Sequence, residues 1–190
     1  MVAPCYIELA KDVLKGTGIQ VASTLNFPIA NDTLPMKIAA LKEMIKTGVN
    51  QFDFPPNPGL LLGGEEKAYF EEMRQIVEVA HASGVIVKAM LEFGYITTPE
   101  LKKKAAQLAC EAGIDWVKQS SSWGVGGCPA TAEDVKILKE NITLPCRVKV
   151  SGKVNTLEKM KTMFEAGAEL VGTSSGPAIV DGLVGDINAY

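Results

Sequence analysis

The sequence predicts an α/β fold in which parallel strands alternate with helices, and two observations lead to this fold class. First, one short pattern recurs: a helix ends at a glycine, and an apolar residue and a strand follow. The pattern begins at Gly18, Gly48, Gly84, Gly113 and Gly167. Second, most of these repeats lie about 30 residues apart, which is the length of one βα unit. The β-branched runs behind the glycines are typical of strands that are covered on both faces.

Seven strands are predicted in chain order, at about residues 1–4, 19–25, 50–55, 85–91, 114–118, 146–150 and 169–173. Helices are predicted between them near residues 33–47, 64–82 and 156–166, with further helices opening at Thr97 and Thr131. Apolar residues in these segments recur at helical spacing, as at Ile38, Leu41 and Ile45. We interpret such stripes as core rather than as a cofactor site.

A parallel array of this kind is either an open doubly wound sheet or a closed barrel. No G-x-G-x-x-G follows the first strand, which argues against a dinucleotide-binding fold. Polar residues end several different strands, at Asp53, Lys88, Glu92, Lys118, Lys149 and Thr173. A barrel active site has this distribution, because each strand delivers residues to one shared face. We therefore predict a (β/α)8 TIM-type barrel.

The length of the chain and its net charge limit the number of domains and the kinds of partner that we expect. The 190 residues predict a single domain, residues 1–190, and the net charge of −3 comes without a basic block, so neither nucleic acid nor a membrane surface is an expected partner. The four cysteines contain no CxxC pair, which favours reduced thiols and a cytoplasmic location. His81 is the only histidine, which excludes a histidine-based triad or a multi-histidine metal site. We expect no metal and no cofactor.

Two lysines carry the chemistry. Lys118 and Lys149 each lie near the end of a predicted strand and precede a loop of small residues. Burial and a second ammonium both lower the pKa of a lysine, which leaves the free amine that attacks a carbonyl. A lone strand-end lysine more often extends to water, but two on consecutive strands favour a Schiff-base aldolase.

The order and spacing of several stretches are specific in combination. These are residues 9–23, Phe27-Pro28, Gln51–Asp53 with Asn57, Val87-Lys88 with Glu92 and Gly94, Val117-Lys118, Val148–Gly152 and Gly172–Gly176. With them the chain resembles the deoxyribose-phosphate aldolase family over nearly its whole length. The resemblance implies a class I aldolase, a carbon–carbon lyase of carbohydrate catabolism, on a (β/α)8 barrel.

The resemblance also implies roles for individual residues. Lys118 would form the Schiff base, Lys149 would lower its pKa, and Asp53 would shuttle protons through a water. Two loops would bind the phosphate of 2-deoxyribose 5-phosphate, one at Ser151, Gly152 and Lys153 and one at Thr173, Ser174 and Ser175. Without the two lysines, we would interpret the second of these loops as an ordinary polar turn. The expected partners are a small phosphorylated sugar and further copies of the chain in a homo-oligomer.

The chain departs from the family pattern in ways that leave alternatives open. The family's Lys-Thr-Ser-Thr-Gly becomes Lys118–Ser122, and its Ser-Gly-Gly becomes Ser151–Lys153. Met1–Cys5 matches the family's second strand, so the first has no counterpart. We expect a seven-stranded barrel with a gap, a truncated gene product, or a gap that a partner chain fills. An inactive relative that binds a phosphorylated metabolite or a partner chain is the alternative function. A third hypothesis keeps the lysine chemistry on an unphosphorylated or bulkier aldehyde.

Overall fold

A computed structural model describes residues 1–28, 30–183 and 185. Within them, six parallel strands form one sheet and alternate with helices in a curled half-barrel. The strands are β1 (Ala22–Thr24), β2 (Gln51–Phe54), β3 (Ile86–Met90), β4 (Trp116–Lys118), β5 (Arg147–Ser151) and β6 (Leu170–Gly172). The helices are α1 (Ile7–Val13), α2 (Leu34–Lys46), α3 (Pro58–Leu62), α4 (Glu66–His81), α5 (Pro99–Glu111), α6 (Ala132–Glu140), α7 (Leu157–Glu165) and α8 (Gly176–Val180).

The predicted fold class is confirmed, but the first of the seven predicted strands is wrong. Residues 1–3 lie outside regular structure, and Pro4–Tyr6 forms a 3₁₀ turn. The backbone N–H of Val2 still donates to the Ala22 carbonyl at 2.9 Å, so the segment touches β1. Pro4 has no N–H to continue a ladder and is suited to the start of a helical turn, which ends the extended segment.

Strand order follows the chain, and each strand pairs in parallel with the next. In the described sheet, β1 and β6 are the two edges. All the loops that follow the strands therefore emerge at one end of the half-barrel, where the fold collects functional side chains.

Helix caps fix where those loops end. The side chains of Thr98, Thr131 and Thr156 each accept a hydrogen bond from a backbone N–H in the first turn of α5, α6 and α7. Such caps satisfy donors that have no partner within the helix. The Thr-capped helix predicted at position 131 is confirmed, and the one predicted from Thr97 begins one residue later.

The sheet separates an apolar face from a charged one. Phe52, Val87, Val117 and Val148 are fully buried and belong to the main hydrophobic cluster. Each stands directly before a charged residue in its strand. Because successive side chains in a strand point to opposite faces, the charged neighbours point into the barrel interior.

A buried ion pair joins two loops at the same end of the barrel. The ammonium of Lys37 on α2 contacts Glu72 Oε1 on α4 at 2.7 Å and the Ala30 carbonyl at 2.8 Å. Glu72 Oε2 accepts the N–H of Asn57 at 2.7 Å. The pair therefore ties the loop after β1 to the loop after β2.

Candidate active site

Strand register brings together the three residues predicted as catalytic. Asp53 on β2 is the register partner of Lys88 on β3, and Lys118 on β4 is the register partner of Lys149 on β5. All four side chains are at least nine-tenths buried. Four neighbouring strands thus contribute one carboxylate and three amines to the barrel interior.

Asp53 is the centre of this lysine cluster, which consists of Asp53, Lys88, Lys118 and Lys149. Lys149 Nζ donates to Asp53 Oδ2 at 2.5 Å, and Lys118 Nζ lies 3.7 Å from the same oxygen. Lys88 Nζ lies 3.3 Å from Oδ1, an ion-pair distance without the geometry of a hydrogen bond. Because one oxygen contacts both Lys118 and Lys149, the two amines lie close to each other.

The three amines determine the charge of Asp53. Burial alone would raise the pKa of its carboxyl group. The ammonium groups of Lys149, Lys118 and Lys88 outweigh burial and hold the pKa below its ordinary value. Asp53 is therefore ionised at neutral pH and can accept a proton.

Burial acts on the lysines in the opposite sense. It lowers the pKa of Lys118, against the Asp53 and Glu92 carboxylates, which raise it. It also lowers the pKa of Lys88 to about 8, with Asp53 again opposing. One carboxylate cannot neutralise three buried ammonium groups, so the cluster favours a neutral amine. A neutral lysine amine is the nucleophile that imine formation needs.

A second buried carboxyl group lies on the loop after β3. Glu92 is 2 % exposed and accepts the N–H of Ser121 at 2.5 Å and the Ser121 hydroxyl at 2.9 Å. Burial raises the pKa of Glu92 to about 7, although the Ser121 hydrogen bonds and the Lys118 charge lower it. Glu92 therefore holds the loop that begins one residue after Lys118.

The residues predicted to bind phosphate lie on two adjacent loops. Ser151 ends β5 and pairs in register with Gly172, which ends β6, so residues 151–153 and 173–175 are neighbours. Ser151 lies two residues beyond Lys149 and therefore faces the same side of the sheet. Its hydroxyl is buried without a hydrogen-bond partner among the described residues. The N–H of Ser175 donates to Thr173 Oγ1 at 3.0 Å. Lys153 is exposed.

Two residues of this region had no assigned role at the sequence level. Lys88 and Glu92 were recognised as polar residues in or after a strand and as part of the stretches that carry the resemblance, but neither was given a role. The position of Lys88 opposite Asp53 depends on register, which one sequence does not supply. A positive φ of 58° at Glu92 is also unexpected from sequence, because residues other than glycine seldom adopt it.

Other kinds of site find no support in the part of the chain that the structure describes. No group of three or more histidine, cysteine, aspartate or glutamate side chains could hold a metal ion there. No helix in the same part is both long and apolar enough to cross a bilayer.

The half-barrel and its buried lysine cluster define the class of the protein: a parallel α/β fold of the TIM-barrel type with a charged site at the carboxyl ends of its strands. No family model matches the chain. The curated deoxyribose-phosphate aldolase of Thermoanaerobacter sp. (strain X514) is 38 % identical over 179 residues, which are 94 % of this chain and 79 % of that protein. The chain belongs to the deoxyribose-phosphate aldolase family.

Two further comparisons agree with this assignment. The deoxyribose-phosphate aldolase of Thermococcus kodakarensis is 38 % identical over 95 % of this chain and 80 % of its own length. The solved structure of QR15, an aldolase, superimposes with a TM-score of 0.86 at 28 % identity, over 95 % of this chain and 78 % of that one. The family predicted from sequence is confirmed.

Proposed function

We propose that the chain cleaves 2-deoxyribose 5-phosphate to glyceraldehyde 3-phosphate and acetaldehyde through a Schiff base on Lys118. The observation that carries the proposal is the lysine cluster, in which one buried carboxylate contacts the amines of Lys118 and Lys149. Family membership supports the same reaction, because the curated relatives are named for it.

The first half of the reaction makes the imine. The neutral amine of Lys118, favoured by burial, attacks the C1 aldehyde of the open-chain sugar. A proton moves from the nitrogen to the oxygen and gives a neutral carbinolamine. One further proton, taken from solvent, protonates the carbinolamine hydroxyl group, water leaves, and a protonated imine remains. Asp53 is ionised and lies 3.7 Å from the Lys118 amine, so it is the group placed to accept and return that proton.

The second half breaks the carbon–carbon bond. A base takes the proton of the C3 hydroxyl, the C2–C3 bond breaks, and its electron pair passes into the imine to form an enamine. Glyceraldehyde 3-phosphate leaves, C2 takes up a proton, and water releases acetaldehyde from Lys118. Lys149 and Asp53 form one hydrogen-bonded pair at 2.5 Å, which we assign to these proton transfers.

The phosphate end is assigned to the loops that follow β5 and β6. Ser151, Gly152 and Lys153 lie beside Thr173, Ser174 and Ser175, and barrels often bind phosphate at the ends of their last two strands. The buried hydroxyl of Ser151 supports this assignment, since a buried donor usually has a partner. We also propose a homo-oligomer, as expected from the sequence.

The test is turnover of 2-deoxyribose 5-phosphate, followed through release of glyceraldehyde 3-phosphate. Lys118→Met should abolish it, because no amine remains to form the imine. Lys103→Met removes an exposed lysine and serves as the matched control. Turnover by the Lys118→Met variant at the wild-type rate would refute the proposed mechanism. The absence of wild-type turnover, with saturable binding of the sugar phosphate, would favour an inactive relative.

A further inference from the structure

The loop after β4 covers Gly152, a residue of the proposed phosphate loop. A Cβ atom at Gly152 would lie 3.0 Å from the Cys128 carbonyl oxygen and 3.3 Å from Ser122 Cβ, with Ser122 Oγ closer still. The N–H of Ala130 also donates to the Gly152 carbonyl at 2.9 Å. The Cα face of Gly152 is therefore occupied by protein atoms, of which the Ser122 side chain is the nearest.

Two side chains of that loop also converge on the carbonyl of Ser151. The amide of Gln119 donates to this oxygen, and Ser122 Oγ lies 3.4 Å from it. Gln119 is fully buried. These contacts fasten the loop after Lys118 to the loop after Lys149, so the Ser122 side chain is held in place above Gly152.

The backbone at Ser122 would suit glycine better. Its φ is 62°, in the left-handed region that costs a residue with a Cβ about 1 kcal/mol. Its N–H donates to Ser120 Oγ at 2.9 Å, which supports this turn locally. Glycine at position 122 would keep the turn and uncover Gly152.

A buried polar group close by indicates that a ligand belongs here. The hydroxyl of Ser151 is 1 % exposed and has no hydrogen-bond partner among the described residues. A ligand oxygen would satisfy it. The backbone of a glycine residue normally allows a phosphate group to approach closely, because there is no side chain in the way. The Ser122 side chain above Gly152 reduces the space that is left for a phosphate group.

We propose that Ser122 is a specificity-determining residue that weakens the preference of this chain for a phosphorylated sugar over its unphosphorylated counterpart. The inference rests on the aldolase activity proposed above and names the substrate class of the same site. The physical reason is size, since a terminal hydroxyl group needs less room beside Gly152 than a phosphate does.

The experiment compares kcat/KM for 2-deoxyribose 5-phosphate and for 2-deoxyribose in the wild type and in Ser122→Gly. The ratio of the two values should rise by about tenfold in Ser122→Gly, the scale set by one small group in a tight pocket. The change should come from KM of the phosphorylated sugar. Inorganic phosphate should also inhibit Ser122→Gly at lower concentration than the wild type.

Two further variants make the result specific. Ser122→Ala removes Oγ, the atom nearest to Gly152, and keeps the Cβ, so its ratio should lie between that of the wild type and that of Ser122→Gly. Ser83→Gly replaces an exposed serine after α4, at the other end of the barrel, and controls for a general effect of serine-to-glycine replacement. Its ratio should equal that of the wild type.

The outcomes separate the two proposals. If the wild type turns over sugar but the ratio of kcat/KM values is unchanged or lower in Ser122→Gly, the proposed role of Ser122 is wrong. The aldolase activity is unaffected by that result. A wild type that turns over neither sugar and forms no imine refutes the aldolase activity, and the inference with it.

Discussion

The buried carboxyl group of Glu92 makes stability depend on pH in a way that one substitution removes. Its pKa is about 7 in the folded protein, compared with an ordinary value of 4.5. Below pH 4.5 the group is protonated in both the folded and the unfolded chain. Between these two values the unfolded chain ionises first, so the free energy of unfolding falls as pH rises.

The size of the effect follows from the pKa difference. Each pKa unit corresponds to about 1.4 kcal/mol, so raising the pH from 4.5 to 7 should cost about 3 kcal/mol through this one group. Glu92→Gln cannot ionise. Its amide retains an oxygen for the Ser121 N–H and an N–H₂ group for the Ser121 hydroxyl.

The assay is urea denaturation of the wild type and Glu92→Gln between pH 5 and pH 8. The free energy of unfolding of the wild type minus that of the variant should fall by about 2–3 kcal/mol over this range and then level off. Glu111→Gln removes an exposed carboxylate and serves as control. Wild-type and Glu92→Gln curves that run parallel from pH 5 to pH 8 would refute this reasoning.

Three other predictions test the lysine cluster and the ion pair that supports its loops. In Lys149→Leu, the Asp53 carboxylate no longer pairs with Lys149 and interacts more strongly with the Lys118 ammonium. The pKa of Lys118 should therefore rise, and imine trapping should need a higher pH. Lys149→Arg keeps the positive charge but changes its geometry, so it should restore the pKa of Lys118 more fully than the rate of imine formation. An unchanged pH profile in Lys149→Leu would contradict the coupling. Asp53→Asn should lower kcat at least 100-fold without changing the fold, as checked by circular dichroism, and near-normal turnover would remove Asp53 from the mechanism. Lys37→Met leaves Glu72 buried without its cation and should cost about 3–5 kcal/mol in urea denaturation. Lys46→Met breaks an exposed pair and should cost under about 1 kcal/mol; similar losses in both would contradict the importance of burial.

Much of the candidate site was predictable because parallel strands place their ends together. Lys118 and Lys149 stand on consecutive strands at equivalent positions, and strand register makes them partners. Asp53 also follows from its strand, because the alternation with Phe52 turns it to the inner face. For these residues, periodicity and chain order are enough to predict a shared face of the sheet, whereas their separate roles came from the family resemblance.

Other features depend on geometry that one sequence does not contain. The 3.3 Å approach of Lys88 to Asp53 requires the register of β2 against β3. The position of Ser122 above Gly152 depends on how a loop folds back over the next one. A strand predicted at residues 1–4 is absent because a short apolar segment ending in proline favours a turn as readily as a strand.

The central claim is that Lys118 forms the imine, and borohydride trapping tests it directly. The protein is incubated with acetaldehyde, reduced with borohydride and digested, and the modified peptide is mapped by mass spectrometry. We expect one ethyl group on Lys118 and none on Lys118→Met, with Lys103→Met labelled like the wild type. A label on Lys88 or Lys149 in place of Lys118, or the absence of any label, would contradict the proposed mechanism.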